Sequence, residues 1–197
     1  MGSVNSGVQY LVSSGEDMAA IVWRTKDWQE DARITTPFEG CKAQSFFRRL
    51  DWAPDGLHLC VTHAFKAPSQ VASILNRDSW REEGQEQGGG GGGGGSESKK
   101  AVELVGHRAP IVASRYNPAL FVKARGTKLT KQSNPPTSCC AIGTQDASLS
   151  VWMAGKGRPL AIINNAFDRS ISDLAWSPDG TTLLAASLDG TLCGESK

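Results

Sequence analysis

His107 and Asp146 are the two residues whose types most readily suggest chemistry, because an imidazole beside a carboxylate can act as a general base. The chain has only three histidines, and it contains no glycine-rich phosphate loop, no Gly-x-Ser-x-Gly segment and no His-Glu-x-x-His segment. The sequence therefore predicts that the protein is not an enzyme, and the pair needs a structural explanation.

Cys60 and His63 are the other residues whose spacing suggests a ligand site. On a strand, residues three apart point to opposite faces, and a zinc site would need two further ligands. The five cysteines are odd in number and include no Cys-x-x-Cys pair. Cys139 and Cys140 are adjacent on a predicted strand, so at least one of them is expected in the core. The sequence predicts no metal, no other cofactor and a reducing compartment.

A repeated phrase around Asp146 indicates which elements position these residues. Asp146 lies between two strand-like runs, residues 139–144 and 149–152, and the second run ends at Trp152, six residues after Asp146. The spacing recurs twice, with Asp17 and Trp23 in one copy and with Asp189 and Glu195 in the other.

Two Pro-Asp-Gly turns, at residues 54–56 and 178–180, give a second sign of repetition. Each follows an apolar strand that ends in tryptophan, Trp52 or Trp176. Proline presets one backbone dihedral of such a turn and glycine accepts a positive one. A Gly-His pair, here Gly106-His107, followed by the Asp and Trp positions, resembles the blades of WD-repeat propellers.

The WD-repeat resemblance implies a structural use for the candidate residues. In that family, the His of the Gly-His pair, the turn Asp, a strand hydroxyl and the strand Trp form a buried hydrogen-bonded relay. Carried over to this sequence, the relay would contain the following residues: His107, Asp146, Trp152 and Thr144 as the hydroxyl, with Asp17 and Trp23 in the earlier copy.

A wider set of phrases carries a second, more specific signal, in residues 22–29, 37–39, 74–80, 105–108, 116–118, 139–152 and 158–171. Together these phrases resemble HIRA/Hir-type histone chaperone subunits. Trp28, Trp80 and Arg158-Pro159-Leu160 are poorly explained by the repeat alone. The resemblance implies an all-β, seven-bladed propeller, of which residues 1–197 would form an incomplete part of about three to four blades.

The HIRA/Hir resemblance also implies a function. The family deposits core histones independently of DNA replication, takes part in transcriptional regulation including repression, and resides in the nucleus. By resemblance, the propeller would bind an ubinuclein-type subunit and other proteins of the chaperone complex. Core histones would be held by the complex as a whole.

The ends and two insertions interrupt the repeat. Residues 1–8 are expected to lack the first strand of the opening blade, and the closing repeat is expected to stop one strand short, leaving an open, weakly stable arc with unprotected edges. Residues 84–99 include eight consecutive glycines and are predicted to be a disordered loop between the last two strands of a blade. Residues 121–137 carry four basic residues and are predicted to be a solvated basic loop.

A protein partner is expected on the rim where the links between blades gather with the Asp turns. A net charge of +1 provides no domain-wide basic field, and no apolar run is long enough to span a membrane, so neither sequence-specific nucleic acid nor membrane is expected. Alternatives are a WD-repeat substrate receptor of a ubiquitin ligase, the WD subunit of a replication-coupled chromatin assembly factor, or a chain without independent activity. The candidate contact residues are Arg108, Gln145, Asp168 and Arg169.

Overall fold

The computed structural model describes residues 2–4, 9–42, 45, 47–77, 80, 101–122 and 136–196. Within them lie four antiparallel sheets that follow one another along the chain, three with four strands and one with three. Each sheet is one blade. The prediction of an all-β, incomplete WD-repeat propeller is confirmed.

The first two blades occupy the N-terminal half of the chain. Blade 1 contains β1 (Gly2–Val4), β2 (Tyr10–Ser14), β3 (Ala20–Arg24) and β4 (Glu30–Ile34). A short 3-10 helix, Thr36–Phe38, links it to the next blade. Blade 2 contains β5 (Asp51–Trp52), β6 (His58–Lys66), β7 (Ser69–Asn76) and β8 (Val102–His107).

The other two blades continue the same order. Blade 3 contains β9 (Ile111–Tyr116), β10 (Cys139–Thr144), β11 (Leu149–Met153) and β12 (Ala161–Ile163), and blade 4 contains β13 (Ile171–Trp176), β14 (Thr182–Ser187) and β15 (Leu192–Ser196). Neighbouring strands in the chain are neighbours in each sheet. Each blade is therefore an up-and-down meander.

The opening of the chain differs from the sequence prediction. Residues 2–4 pair with β2 in antiparallel register, with Ser3 opposite Val12. The prediction that residues 1–8 lack the first strand of this blade was wrong. Gly2 and Ser3 have low strand propensity, so the local sequence gives little signal, and the pairing depends on the edge that β2 presents.

The two Pro-Asp-Gly turns form as the sequence predicts. Gly56 and Gly180 have φ values of 66° and 70°. Asp55 Oδ1 accepts the backbone N–H of Leu57 at 2.8 Å, and this bond closes the first turn. At Gly180, a Cβ atom would lie 2.3 Å from Asn117 Oδ1, so glycine is needed both for its dihedral and for the approach of blade 3.

Apolar residues lie mainly between consecutive blades, in three buried clusters. One joins blades 1 and 2, a second joins blades 2 and 3, and a third joins blades 3 and 4. The third is tight enough that a Cβ atom on Gly143 would lie 2.6 Å from Ile171 Cγ2. Each blade thus covers an apolar face of its neighbour, which stabilises the arc through removal of that surface from water.

Polar side chains fix how the inner strands of blades 2, 3 and 4 meet. Arg115 Nη2 bonds Asp173 Oδ1 at 3.3 Å, and its Nη1 lies 3.6 Å from Asp51 Oδ1. Asp51 also accepts the backbone N–H of Tyr116 at 2.8 Å. Arg49 Nη1 reaches Asp173 Oδ2 at 3.4 Å. The alternating charges link β9 and β13 with β5 and the residues that precede it.

The two insertions leave the blades at different places. Residues 81–100 lie between β7 and β8, the third and fourth strands of blade 2, and residues 123–135 lie between β9 and β10. Phe121 and Thr137 pair at the base of the second insertion, with both N–H···O bonds between 2.8 and 2.9 Å. The disorder predicted for 84–99 lies outside the described residues. So do the four basic residues, Lys123, Arg125, Lys128 and Lys131.

Trp80 belongs to the interface between blades 1 and 2. Its side chain is 1% exposed. It packs edge-on against Tyr10 and Trp52 at centroid distances of 5.3 and 5.4 Å, and its Nε1 donates to Asp31 Oδ2 at 3.3 Å. This packing explains a tryptophan that the repeat alone did not.

Replacing Trp80 with alanine should lower the free energy of unfolding by about 3 to 5 kcal/mol, because a large cavity would open between the two blades. Chemical denaturation of the full chain measures the loss. Trp28→Ala is the matched control, since Trp28 is 64% exposed and its loss should change the free energy by about 0.5 kcal/mol or less. Similar losses in the two variants would contradict the assignment of Trp80 to the core.

His63 is a fully buried titratable side chain of blade 2, with 0% exposure. It lies in a bulge of β6 with φ at 60°. Burial, helped by the nearby Arg48 guanidinium, lowers the pKa of His63 from 6.5 to about 4. The folded chain therefore favours the neutral imidazole.

Because the folded pKa of His63 lies below the unfolded value, its contribution to stability should be complete above about pH 6.5 and should be lost as the pH falls towards 4. The loss should approach about 3 kcal/mol over that interval. His63→Asn removes the titration and keeps a residue that tolerates positive φ. Urea midpoints of the wild-type chain should then fall more steeply with acidification than those of His63→Asn, and parallel curves would contradict the prediction.

Candidate protein-interaction surface

The meander order places the loops of each blade on two opposite rims. Rim A contains the turns between second and third strands together with the links from one blade to the next. Rim B contains the turns between first and second strands and between third and fourth strands. Both insertions emerge on rim B, whereas Gly106-His107 and Asp146 lie at rim A.

The relay in blade 3 runs from His107 to Trp152 through Ser150. Trp152 Nε1 donates to Ser150 Oγ at 2.7 Å. The Ser150 oxygen also lies 2.7 Å from His107 Nε2. A serine hydroxyl has one donor and two acceptor sites, so the Ser150 oxygen can accept from the indole and also share a hydrogen bond with His107 Nε2. The pKa of His107 is lowered because burial outweighs the attraction of Asp146.

The sequence prediction named Thr144 as the hydroxyl of this relay, and the structure corrects it. Thr144 Oγ1 donates to the Asp146 carboxylate and accepts the backbone N–H of Ser148 at 3.0 Å. Asp146 is exposed and also accepts that N–H at 3.3 Å. Thr144 and Asp146 therefore close the β10–β11 turn beside the relay, and Asp146 acts on His107 through its charge.

In blade 1, the hydroxyl that accepts the tryptophan N–H lies on the second strand, not on the strand of the tryptophan. Trp23 Nε1 donates to Ser13 Oγ on β2 at 2.9 Å. Ser13 faces Ile21 on β3, whereas in blade 3 an isoleucine on β10 faces Ser150 on β11. The hydroxyl and the isoleucine have thus exchanged strands, and the indole keeps its acceptor.

The other predicted relay positions have different surroundings. Asp17 is exposed, and its Oδ2 lies 3.6 Å from Arg33 Nη1. In blade 4, Glu195 faces Leu183 across the sheet, as Trp23 faces Leu11 in blade 1. The register therefore places Glu195 where the tryptophan stands in blades 1 and 3, as the spacing of the repeat predicted.

Ser150 could have been found from the sequence. It lies two residues before Trp152 on the same strand, so the period of two places both side chains on one face. The prediction from the resemblance instead assigned the hydroxyl to Thr144, on the strand before the Asp turn.

The four candidate contact residues all lie on rim A. Arg108, Asp168 and Arg169 are exposed, and Gln145 is half-buried. The Gln145 backbone N–H donates to Pro110 O at 2.9 Å, which ties the Asp turn to the link between blades 2 and 3. The four residues belong to three successive turns of this rim.

Rim A is held together by hydrogen bonds between turns. Ala166 N donates to Ala147 O at 3.1 Å, and Asp168 N donates to Asp189 Oδ2 at 3.0 Å. Ser187 Oγ donates to Arg169 O at 3.0 Å. Adjacent turns therefore support one another, which makes this rim a preorganised surface.

A cleft of about 510 Å³ opens on rim A between the outer strands of blades 2 and 3. Its floor is the relay, and Arg108 and Asp146 place opposite charges at its wall. Val105 and Ile162 are 49% and 54% exposed at its outer side. A cleft with this mixture suits the side chains of a protein segment.

Cys60 and His63, whose spacing suggested a ligand site, are both buried, each with 0% exposure. Within the described ranges there is no group of three or more His, Cys, Asp or Glu side chains placed to hold a metal ion. Cys139 and Cys140 are both buried, on opposite faces of β10, towards blade 4 and blade 2 respectively. Burial raises the pKa of the Cys140 thiol well above its usual value. No helix in the described part of the chain is long and apolar enough to cross a membrane.

Comparison with known proteins identifies the repeat in one part of the chain and finds relatives that match most of the chain. The family model described as WD domain, G-beta repeat matches residues 157–193. Protein HIRA of Takifugu rubripes is 36% identical over 169 residues, 86% of this chain. Protein HIRA of Homo sapiens is 34% identical over 169 residues, and Protein HIR1 of Mycosarcoma maydis is 34% identical over 186 residues, 93% of this chain. The chain is a HIRA-like WD-repeat protein.

The HIRA-like chain spans 15% to 16% of the length of these curated relatives. Its match with them covers most of the four blades, whereas the WD-repeat family model covers blade 4 and the end of blade 3. The repeat and the relatives point to a non-catalytic scaffold. His107 and Asp146 then have a structural use, and rim A is the surface to consider for function.

Replacing Ser150 with alanine should lower the free energy of unfolding of this HIRA-like chain by about 1 to 3 kcal/mol, because His107 and Trp152 would lose a shared buried partner. Asp146→Ala is the matched control. Asp146 is exposed, so its loss should have the smaller effect. Denaturation of both variants measures the difference, and a larger effect of Asp146→Ala would favour the relay as the sequence predicted it.

Proposed function

We propose that this chain forms part of the protein-interaction propeller of a HIRA-like histone chaperone complex. The observation that carries the proposal is the similarity to Protein HIRA and Protein HIR1 over 86% to 93% of the chain. The propeller would act in the nucleus, in replication-independent nucleosome assembly and in the transcriptional regulation and repression linked to it. It would supply binding surfaces and no chemistry.

The proposed partner of rim A is an ubinuclein-type subunit, with core histones held through the complex. Arg108 and Arg169 support this choice of surface, because arginine is enriched among the residues that dominate protein interfaces. Both side chains are exposed. The turns that carry them are hydrogen-bonded to their neighbours, so little conformational entropy is lost on binding.

Direct sequence-specific binding of nucleic acid is not part of the proposal. The formal net charge of the chain is +1. The inner strands of blades 2 to 4 pair Arg49 and Arg115 with Asp51 and Asp173, which neutralises the basic groups there. Any contact with DNA would then come from other members of the complex.

The test is a binding measurement between the purified chain and the ubinuclein-type subunit of the same organism. Charge reversal at Arg108 or Arg169 should weaken binding by about tenfold or more, as expected for an interface anchor. Lys156→Glu on rim B is the matched control and should leave the affinity unchanged.

Two results would contradict the proposed function. One is a wild-type affinity that neither rim A variant changes. The other is a pull-down from nuclear extract that recovers a cullin adaptor without ubinuclein or histones, which would assign the propeller to a ubiquitin ligase instead.

A further inference from the structure

Trp28 is the one aromatic residue among the exposed large hydrophobic side chains of the described part of the chain. Its exposure is 64%. It lies on rim B, in the turn between β3 and β4, where its backbone has φ at 57°. A bulky residue at positive φ is a steric outlier, and a glycine or asparagine would adopt this conformation at lower cost. Neither the backbone conformation nor burial explains why a tryptophan occupies this position.

The turn that carries Trp28 is braced. Trp28 N donates to Arg24 O at 2.8 Å, and Arg24 N donates to Gln29 O at 2.9 Å. Asp27 Oδ1 accepts from Arg24 Nε and from Gln29 N, both at 3.2 Å. These bonds to Gln29 and Arg24 lower the pKa of Asp27. The indole is therefore presented to solvent from a defined backbone.

Contacts with blade 2 extend the turn into a wider surface. Thr25 N donates to Gln9 O at 3.0 Å, and Arg77 Nη2 donates to Gln9 Oε1. The Arg77 guanidinium stacks over the Tyr10 ring at 4.9 Å. Arg77 N donates to Leu57 O at 2.8 Å, and the Leu57 side chain is 50% exposed. We call the surface formed by Lys26, Trp28, Leu57 and Arg77 the Trp28 patch.

The four residues of the Trp28 patch include two cations, Lys26 and Arg77, and no carboxylate. Among the described carboxylates nearby, Asp27 pairs with Arg24 at 3.2 Å, Asp31 accepts from Trp80, and Asp55 bonds His58 at 2.8 Å. Lys26 is exposed. Arg77 bonds the neutral amide of Gln9. A complementary partner carries carboxylates next to an apolar side chain.

We propose that the Trp28 patch is a second docking surface, which binds an acidic peptide segment of a partner protein through an apolar side chain seated against Trp28. An exposed tryptophan flanked by cations has the composition of an interface anchor. The inference does not depend on the partner of rim A, because the patch lies on the opposite rim.

A protein segment suits the patch better than single-stranded nucleic acid does. Binding of single strands uses a series of aromatic platforms along a basic groove. Here Trp28 is the sole exposed aromatic among the described large hydrophobic side chains, and the chain as a whole has a net charge of +1.

The test starts with selection of random twelve-residue peptides, displayed on phage, against the purified full chain. Recovered sequences should be enriched in Asp and Glu around one aromatic or aliphatic residue. Fluorescence anisotropy with the synthesised peptides then measures their affinity. Trp28→Gly and Lys26→Glu should each weaken binding by about tenfold or more.

Two matched measurements separate docking from a structural role. Trp28→Gly should unfold at the same temperature as the wild type or a higher one, because glycine relieves the positive φ. Lys156→Glu alters an exposed lysine in the corresponding turn of blade 3 and should leave peptide affinity unchanged.

Any of three results would overturn the proposal. The first is a selection without an acidic consensus, including one that recovers nothing. The second is an affinity that survives Trp28→Gly or falls equally with Lys156→Glu. The third is binding of a labelled single-stranded oligonucleotide that is lost in Trp28→Gly, which would make the patch a nucleic-acid site.

Discussion

Arg115 connects the inner strands of three blades. Its guanidinium reaches Asp51 in blade 2 and Asp173 in blade 4, and its Nε donates to Leu174 O at 3.0 Å. The backbone carbonyl of Arg115 accepts the indole N–H of Trp176 at 3.1 Å. Apolar clusters between blades supply most of the stabilisation, but apolar packing is not directional. The arginine and its carboxylates set the relative position at which those faces meet.

The relative position of the blades affects both rims. On rim A, the turns of blades 2 to 4 are joined to one another by hydrogen bonds. Rim B carries the two insertions, whose bases are anchored by Trp80 packing in one case and by the Phe121–Thr137 pair in the other. One rim is therefore preorganised by contacts between turns. The other carries the parts of this chain that depart most from the repeat.

The tryptophan bonds of blades 1 and 3 show that geometry is kept when the sequence pattern changes. An indole N–H that is buried needs an acceptor. In blade 1, Ser13 on the second strand supplies it, and in blade 3, Ser150 on the third strand supplies it. In each blade, the residue that faces this serine on the paired strand is an isoleucine. Either choice places a hydroxyl within reach of the indole. The fold thus requires the acceptor and leaves open which strand provides it.

The sequence was enough to predict the class of fold and much of its arrangement. Period-two runs, the Pro-Asp-Gly turns and the six-residue spacing from Asp to Trp are local signals. They fixed the strands, the order of the blades and the place of Glu195 in blade 4. They also placed Arg108, Gln145, Asp168 and Arg169 on one rim, because the rim of a loop follows from its order in the meander.

Tertiary structure decided what depends on contacts between segments far apart in the chain. The first strand, Gly2–Val4, forms because β2 offers an edge. Trp28 and Trp80 are indistinguishable by residue type, and only packing makes one exposed and the other buried. Ser150 replaces Thr144 in the relay because His107 reaches it from the neighbouring blade. Local propensity acts over a few residues, whereas burial and hydrogen bonding between blades act across the whole arc. The contacts between blades therefore determine which side chains meet.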